Sequence, residues 1–356
     1  MTEVLIAGGG PAGSLAAYML GRGGFEVLLA EEHQSPGFPV QCAGLISDRC
    51  LEHYGRVVRV RKCVEKKIEG AIFISPSGVC VEAEGRAYVV ERKILDRMLF
   101  EKASMHVETV VKAKVSLNPL RVGERRVDAK FVIGADGVYS AVARAFGFER
   151  PPVYSCLQTE VRYEPIDDRY VEVYFGRRFS DFFAYAIPLE DSAKIGVVCR
   201  SNALEKFRRF EDFLREEGRL KGSKIELVAG AIPAKLVDFA AEKVALIGDA
   251  AGMVKPYTGG GLMYIFEAAN ALADNFPDLK AYKRAYLKKL GKEHRLGELI
   301  RRLYTLPDRE LDGIFENLRD FDFSGVHMDS PSTLLRKFPR ILAKPGLLAA
   351  LLRAFI

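Results

Sequence analysis

The opening stretch TEVLIAGGGPAGSLAAYMLGRGGFEVLLAEE constrains this chain more than any other part of it. An apolar run, Val4 to Ala7, leads straight into Gly8, Gly10 and Gly13 in G-x-G-x-x-G spacing, and Pro11 and Ala12 open a helical pattern. Gly8 permits a tight turn, Gly10 lets the backbone approach a pyrophosphate, and Gly13 lets helix and strand pack closely. The helix N-terminus then offers unpaired N–H groups and the positive end of a dipole to the phosphates. A second apolar run, Val27 to Ala30, ends at Glu31, with Glu32 as the neighbouring alternative. An acid about 20 residues after the glycines is where a ribose hydroxyl needs an acceptor. An acid there favours an unphosphorylated ribose, so FAD or NAD over NADP. A glycine-rich α/β turn that binds nothing would not need the acid.

With 356 residues and 49% hydrophobic content the chain can bury a full core in one large domain or two intertwined lobes. The net charge of +6 suits an anionic cofactor or phospholipid headgroups. No basic arm or aromatic–basic motif points to nucleic acid. Cysteines at 42, 50, 63, 80, 156 and 199 show no C-x-x-C spacing, so neither a zinc site nor an iron–sulfur cluster is expected. Without a secretion signal they read as free thiols of a reducing cytosol. No apolar run reaches the roughly 18 residues that span a bilayer. The expected location is cytoplasmic, with peripheral contact at the inner face of the membrane as its variant. Three Gln and five Asn beside 53 Lys and Arg, with no Trp, hint at a thermophile.

Residues 36–47 read as loop, followed by a short helix from Asp48 to about Tyr54. Residues 64–90 alternate around the turn Pro76-Ser77-Gly78 and predict antiparallel strands. A helix is predicted over 89–103, with Leu95, Met98 and Leu99 on one face. Residues 106–135 return to strands, and 150–235 form a second β-rich block interrupted by a charged helix at 203–217. Residues 243–275 go back to strand, glycines and helix, and 278–304 predict a basic helix. The tail, 331–356, carries Leu334, Leu335, Ile341, Leu342, Leu347, Leu348, Leu351 and Leu352 among Arg336, Lys337, Arg340, Lys344 and Arg353. That mix suits a surface helix pair on anionic lipid and a cap over the core equally well.

Three further signals follow the glycines. Arg92, in V-E-R-x-x-L-D, can hold a phosphate or a flavin side chain through two parallel N–H bonds. In GADGVYSAVAR a strand ends at Gly134 and delivers Asp136. In ALIGDAAGMVKPYTGGGLMYIFEAA a strand delivers Gly248 and Asp249, and Pro256 precedes Gly259, Gly260 and Gly261 before a helix at Leu262. Asp249 can accept from a ribityl hydroxyl, and the bare glycine backbone can lie against a flat ring. Each is also an ordinary turn or surface feature. In this order, they resemble the FAD-binding motifs of the p-hydroxybenzoate-hydroxylase-type flavoproteins. Within that superfamily PVQCAGLIS at 39–47, RKILDRMLFEKA, GDAAGMVKPYTGGGL and FFAYAIP at 182–188 resemble the geranylgeranyl reductase family, including digeranylgeranylglycerophospholipid reductases.

The resemblance implies an α/β fold: a Rossmann-like FAD-binding domain from 1–60, 88–149 and 240–277, an inserted antiparallel β-sheet substrate lobe from 61–87 and 150–239, and a helical C-terminal region, 278–356. It implies FAD with its ADP on Gly8–Gly13 and Glu31 and its flavin near Asp249, Gly259–Gly261 and the Cys42-Ala43-Gly44 loop. Hydride would pass to an isoprenoid C=C of a membrane lipid or prenyl diphosphate, with Cys42, Tyr185 or ordered water as proton donor; Cys42 reads equally as a small packing residue. Phe175, Phe183 and Tyr185 are candidate substrate contacts, with Phe179, Phe182 and Ile187 as further walls; the same alternation also fits a packed sheet face. Arg177 and Arg178 could meet a phosphate headgroup or only water. The family motif carries a tryptophan where this chain has Tyr185. Ferredoxin, a small flavoprotein or NAD(P)H would be the electron donor. A flavin monooxygenase of an aromatic or polyketide, and a quinone-linked electron-transfer flavoprotein, share the FAD motifs and stand as alternatives.

Overall fold

A computed structural model describes residues 2–222 and 225–337. The first half runs β1 (Thr2–Ala7), α1 (Pro11–Arg22), β2 (Val27–Ala30), β3 (Leu45–Ser47), α2 (Asp48–Gly55), β4 (Val64–Ile74), β5 (Cys80–Val90), α3 (Arg92–Ser104), β6 (Glu108–Val110), β7 (Val115–Leu117), β8 (Leu120–Val122), β9 (Arg125–Arg126), β10 (Ala129–Gly134) and α4 (Ala141–Ala145). The second half adds β11 (Val153–Val161), β12 (Tyr170–Tyr174), β13 (Phe183–Pro188), β14 (Ala193–Cys199), α5 (Ala203–Glu216), β15 (Leu227–Pro233), β16 (Val244–Leu246), α6 (Leu262–Asn275), α7 (Leu279–Leu303) and α8 (Asp308–Leu318).

Val4 to Ala7 are all buried, so β1 needs cover on both faces, the mark of a parallel sheet. It lies at the centre of five parallel strands, in the order β16-β10-β1-β2-β6, with Val4 opposite both Val27 and Phe131. Val4 and Ile6 face α1, α3 and α6; Leu5 and Leu28 face the small sheet of β7, β8 and β9 through Ala113, Val122 and Val127.

The second sheet has eight strands, in the order β15-β11-β14-β13-β12-β4-β5-β3. It is mixed rather than wholly antiparallel as expected. β12 runs parallel to β4, with Tyr170 opposite Gly70 and Tyr174 opposite Ile74. The chain visits the parallel sheet between these two strands, so β12 enters beside β4 by a crossover and not by a hairpin. Residues 45–47, expected as loop, form its edge strand by pairing with Ala87–Val89. The strand runs to Val90, as expected for 64–90, but the helix expected from residue 89 starts at Arg92, because Glu91 caps it by accepting from the Lys93 N–H. One face of this sheet packs on Phe207, Phe210 and Leu214 of α5. The opposite face gathers Ile68, Val171, Tyr185, Ile187 and Val198 into a separate cluster with Ala43, Leu45 and Tyr304.

In the C-terminal region α7 buries Tyr282, Tyr286 and Leu290 in the main core, and the segment after α8 folds back to end in a short turn of helix at Pro331–Lys337. Of the tail, Leu334, Leu335, Arg336 and Lys337 belong to the described residues; Arg340, Ile341, Leu342, Lys344, Leu347, Leu348, Leu351, Leu352 and Arg353 lie outside them. Among the described residues no helix is long and apolar enough to cross a membrane.

Candidate active site

The carboxyl ends of β1, β10 and β16 deliver Gly8–Gly10, Asp136 and Asp249 to one edge of the parallel sheet, where α/β sheets form their ligand crevice. The glycines there do different work. A Cβ on Gly13 would stand 1.9 Å from the Gly8 carbonyl oxygen, and one on Gly8, at φ +101°, 2.4 Å from the Ala135 oxygen. Both are needed for α1 to sit on the strands. Gly10 has nothing within 4 Å of its Cβ position and opens on the crevice, beside Pro11 and Ala12. Glu31 is buried; one carboxylate oxygen accepts the Gly9 N–H at 2.7 Å and the other accepts from His33. It holds the glycine turn and still lines the crevice. Glu32 is exposed on the same wall, 3.7 Å from Lys114.

Asp136 is engaged within its own turn, accepting from the Ser140 hydroxyl at 2.6 Å and from the Ala141 and Val142 N–H groups, so it fastens the start of α4. Asp249 differs. Among the described residues nothing donates a hydrogen bond to its side chain, and burial, opposed by Arg92, raises its pKa to about 6. Arg92 itself pairs with Asp96 through two parallel bonds of 2.9 Å, which fixes the guanidinium at the crevice wall. Gly259, at φ +75°, donates to the Lys255 carbonyl at 2.8 Å, and the loop through Gly260 and Gly261 runs into α6 at Leu262. Gly248 and Pro256 do not line the crevice: Gly248 faces Ala12, and Pro256 packs against Gly297 of α7.

The crevice continues without a break between the two sheets. The whole cavity measures about 1150 Å³, above the usual range of roughly 300–1,000 Å³ for a small-molecule site. Its far end is walled by Phe175, Phe183, Tyr185 and Ile187. Phe179 and Phe182 do not line it: Phe179 packs on Phe210 and Phe213, and Phe182 stacks on Tyr154 at 4.7 Å. Alternation along the strand does not distinguish them. The Tyr185 hydroxyl donates to Gln158 at 2.8 Å, and burial drives its pKa well above the usual phenol range. Cys42, Ala43 and Gly44 line the middle of the cavity. Gly44, at φ +83°, has the Val90 carbonyl 2.3 Å from its Cβ position, and its N–H points at the Cys42 sulfur, 3.4 Å away. Arg177 and Arg178 lie outside: Arg177 donates to the Thr305 carbonyl and Arg178 stands over Phe213.

Several wall residues carry no sequence signal. Lys255 and Asp329 form a buried ion pair at 2.8 Å across 74 positions of sequence. Cys156 and Gln158 face the cavity from β11, and burial lifts the Cys156 thiol to about 12. Tyr257 and Tyr304 line the same wall from the C-terminal half. Among the described residues no group of His, Cys, Asp or Glu side chains is placed to hold a metal ion.

These features fit FAD. The bare Gly10 backbone suits a pyrophosphate, the unpartnered Asp249 carboxylate suits a sugar-alcohol hydroxyl, and the Gly259–Gly261 loop leaves room for a flat ring. Residues 1–104 match the family described as "FAD binding domain". The chain is 31% identical to digeranylgeranylglycerophospholipid reductase 2 of Methanothermobacter thermautotrophicus, over 96% of this chain and 97% of that one. It is 30% identical to the digeranylgeranylglycerophospholipid reductase of Methanosarcina acetivorans, over 92% and 90%. Its fold superposes with a TM-score of 0.84 on a geranylgeranyl bacteriochlorophyll reductase-like protein of Thermoplasma acidophilum, at 22% identity, covering 96% of this chain and 97% of that one. With relatives this similar along nearly their whole length, the chain belongs to the digeranylgeranylglycerophospholipid reductase family of FAD-dependent oxidoreductases.

Proposed function

We propose that this protein saturates C=C bonds in the geranylgeranyl chains of a membrane lipid or prenyl diphosphate. The observation that carries this reading is the single continuous cavity. It joins an open glycine turn and an unpartnered carboxylate at one end to an aromatic and aliphatic wall at the other. The names of its relatives point to the same substrate class.

Gly10 and the α1 N-terminus would hold the pyrophosphate, and Glu31 the ribose. Asp249 would accept from the ribityl hydroxyls, and the Gly259–Gly261 backbone would face the ring, with Arg92 at the wall. Reduced FAD supplies hydride when bound. The chain's own task is then to dry the alkene, align it and place a proton. Phe175, Phe183 and Ile187 exclude water from an isolated double bond, which is a poor hydride acceptor unless a proton arrives with it. Tyr185 keeps its proton at neutral pH and is oriented by Gln158. Cys42, which lines the middle of the same cavity, is the second candidate donor. Reducing equivalents would enter from ferredoxin, a small flavoprotein or NAD(P)H.

The test is mass spectrometry of lipids from cells that make an unsaturated geranylgeranyl lipid and express this protein. Gain of H2 per double bond supports the reading. Gain of an oxygen atom would replace it with the monooxygenase alternative. Cys42→Ala and Tyr185→Phe, each checked for FAD content, divide the proton-donor role; the variant that keeps full reduction removes its residue from it.

A further inference from the structure

Among the described residues Lys255 is the one lysine that is both buried and part of the cavity wall: its side chain is 5% exposed and that of its partner, Asp329, 3%. The lysine stem runs beneath the glycine loop. A Cβ on Gly260 would meet its Cε at 2.9 Å and its Nζ at 3.3 Å. The ammonium donates to one oxygen of Asp329 at 2.8 Å, and the Ser47 hydroxyl donates to the other. Asp329 comes from the segment after α8, and Ser47 caps α2 by accepting from the Cys50 N–H at 2.9 Å. Three distant stretches therefore meet to fix one positive charge behind the loop.

A buried ion pair is a poor way to gain stability, because an apolar pair of the same volume often does as well or better. The position of the pair is informative: the ammonium lies against the glycine backbone, its Nζ 3.3 Å from a Cβ built on Gly260, and both partners line the cavity. A flavin that takes up two electrons and one proton becomes an anion, with the charge spread over its pyrimidine edge. A fixed charge in a water-poor site acts strongly on such a change.

We infer that Lys255 is an electrostatic positioning residue for the flavin. Its ammonium, held behind Gly260, favours the reduced over the oxidised cofactor, and Asp329 sets how much of that charge the ring experiences. This rests on the flavin lying at Gly259–Gly261, as in the proposed function.

The two partners must then act with opposite sign. The experiment is a spectrophotometric redox titration of the FAD-loaded full chain, anaerobic, for wild type, Lys255→Met, Asp329→Asn, the double variant Lys255→Met with Asp329→Leu, and Lys255→Arg. Lys255→Met should lower the midpoint potential, weakening reduced relative to oxidised FAD about tenfold, or about 30 mV for a two-electron couple. Asp329→Asn should raise it by a similar amount. The double variant and Lys255→Arg should stay near wild type. Shifts of the same sign in both single variants, or none, would overturn the inference and leave the pair a merely structural clamp. If a single variant does not fold, a double variant shifted as far as about 30 mV, or a shifted Lys255→Arg, overturns it equally. Wild-type protein that binds no FAD would instead overturn the flavin reading itself.

Discussion

At the glycine end of the cavity the backbone does the holding, and at the sheet-lobe end the side chains do. Gly8 and Gly13 there, like Gly44 in the middle of the cavity, each have a carbonyl oxygen within 2.5 Å of their Cβ position. No side chain can be added at these places without moving main chain. The far end is lined by Phe175, Phe183, Tyr185 and Ile187 from one sheet face, backed by Ala184, Ala186 and the α5 core. A side chain there can change size while the strand stays where it is. The glycine end therefore suits a fixed cofactor, and the lobe suits a substrate whose shape the side chains select. At the glycine end Arg92 and Asp136 are locked into their own pairs, while Asp249 and Gly10 open on the cavity.

The comparison can be broken most severely at the glycines. Gly13→Val should cost at least about 3 kcal/mol, the upper end of ordinary overpacking, because the clash is with backbone. The expected result is insoluble or FAD-free protein. Gly10→Ala has free space around it, so thermal unfolding should stay within about 0.5 kcal/mol of wild type. Its FAD content should nevertheless fall. Equal behaviour of the two variants would contradict the division between packing and binding glycines.

The two adjacent phenylalanines sharpen the other end. Phe182→Ala removes a ring stacked on Tyr154 and should cost about 3–5 kcal/mol in a denaturation series. Phe183 is half-buried at the cavity wall. Phe183→Ala should leave FAD content unchanged and raise KM for a prenyl lipid, by about tenfold if ~1.4 kcal/mol of contact is lost. Asp249 gives an effect of similar size, and it is a pH effect. Hydrogen bonds from ribityl hydroxyls favour the charged carboxylate and pull its pKa down from about 6. FAD affinity should then rise about tenfold between pH 5 and pH 7 and level off above that. In the FAD-free chain the sign reverses: the raised carboxyl contributes stability that is present at low pH and lost as pH rises through about 6. Asp249→Asn should flatten both curves, read by fluorescence titration and by thermal melts.

Short-range order is legible in the amino-acid sequence itself. Strand, glycines, helix, strand and Glu31 are neighbours along the chain, and each carries its own physical reason. The helix at Asp48 and the pairing of residues 64–90 are equally local. What the sequence leaves open is set by contacts between distant segments. The parallel register of β12 on β4 depends on where the chain returns from the other sheet, which no local pattern records. Alternation identifies an apolar face in 175–187, but only the position of α5 decides that Phe179 faces core and Phe183 faces cavity. Lys255 belongs to the segment GDAAGMVKPYTGGGL, yet that segment alone gives it no task, because its partner Asp329 lies 74 residues away.

The most direct test of a cavity shared by flavin and prenyl chain is a single turnover. Protein with its FAD reduced and oxygen removed is mixed with a geranylgeranyl lipid while the flavin absorbance is followed. Recovery of the oxidised spectrum only when lipid is present, with matching gain of H2 by that lipid, is the expected result. A flavin that stays reduced beside unchanged lipid, and reoxidises only when oxygen is admitted, would contradict the account.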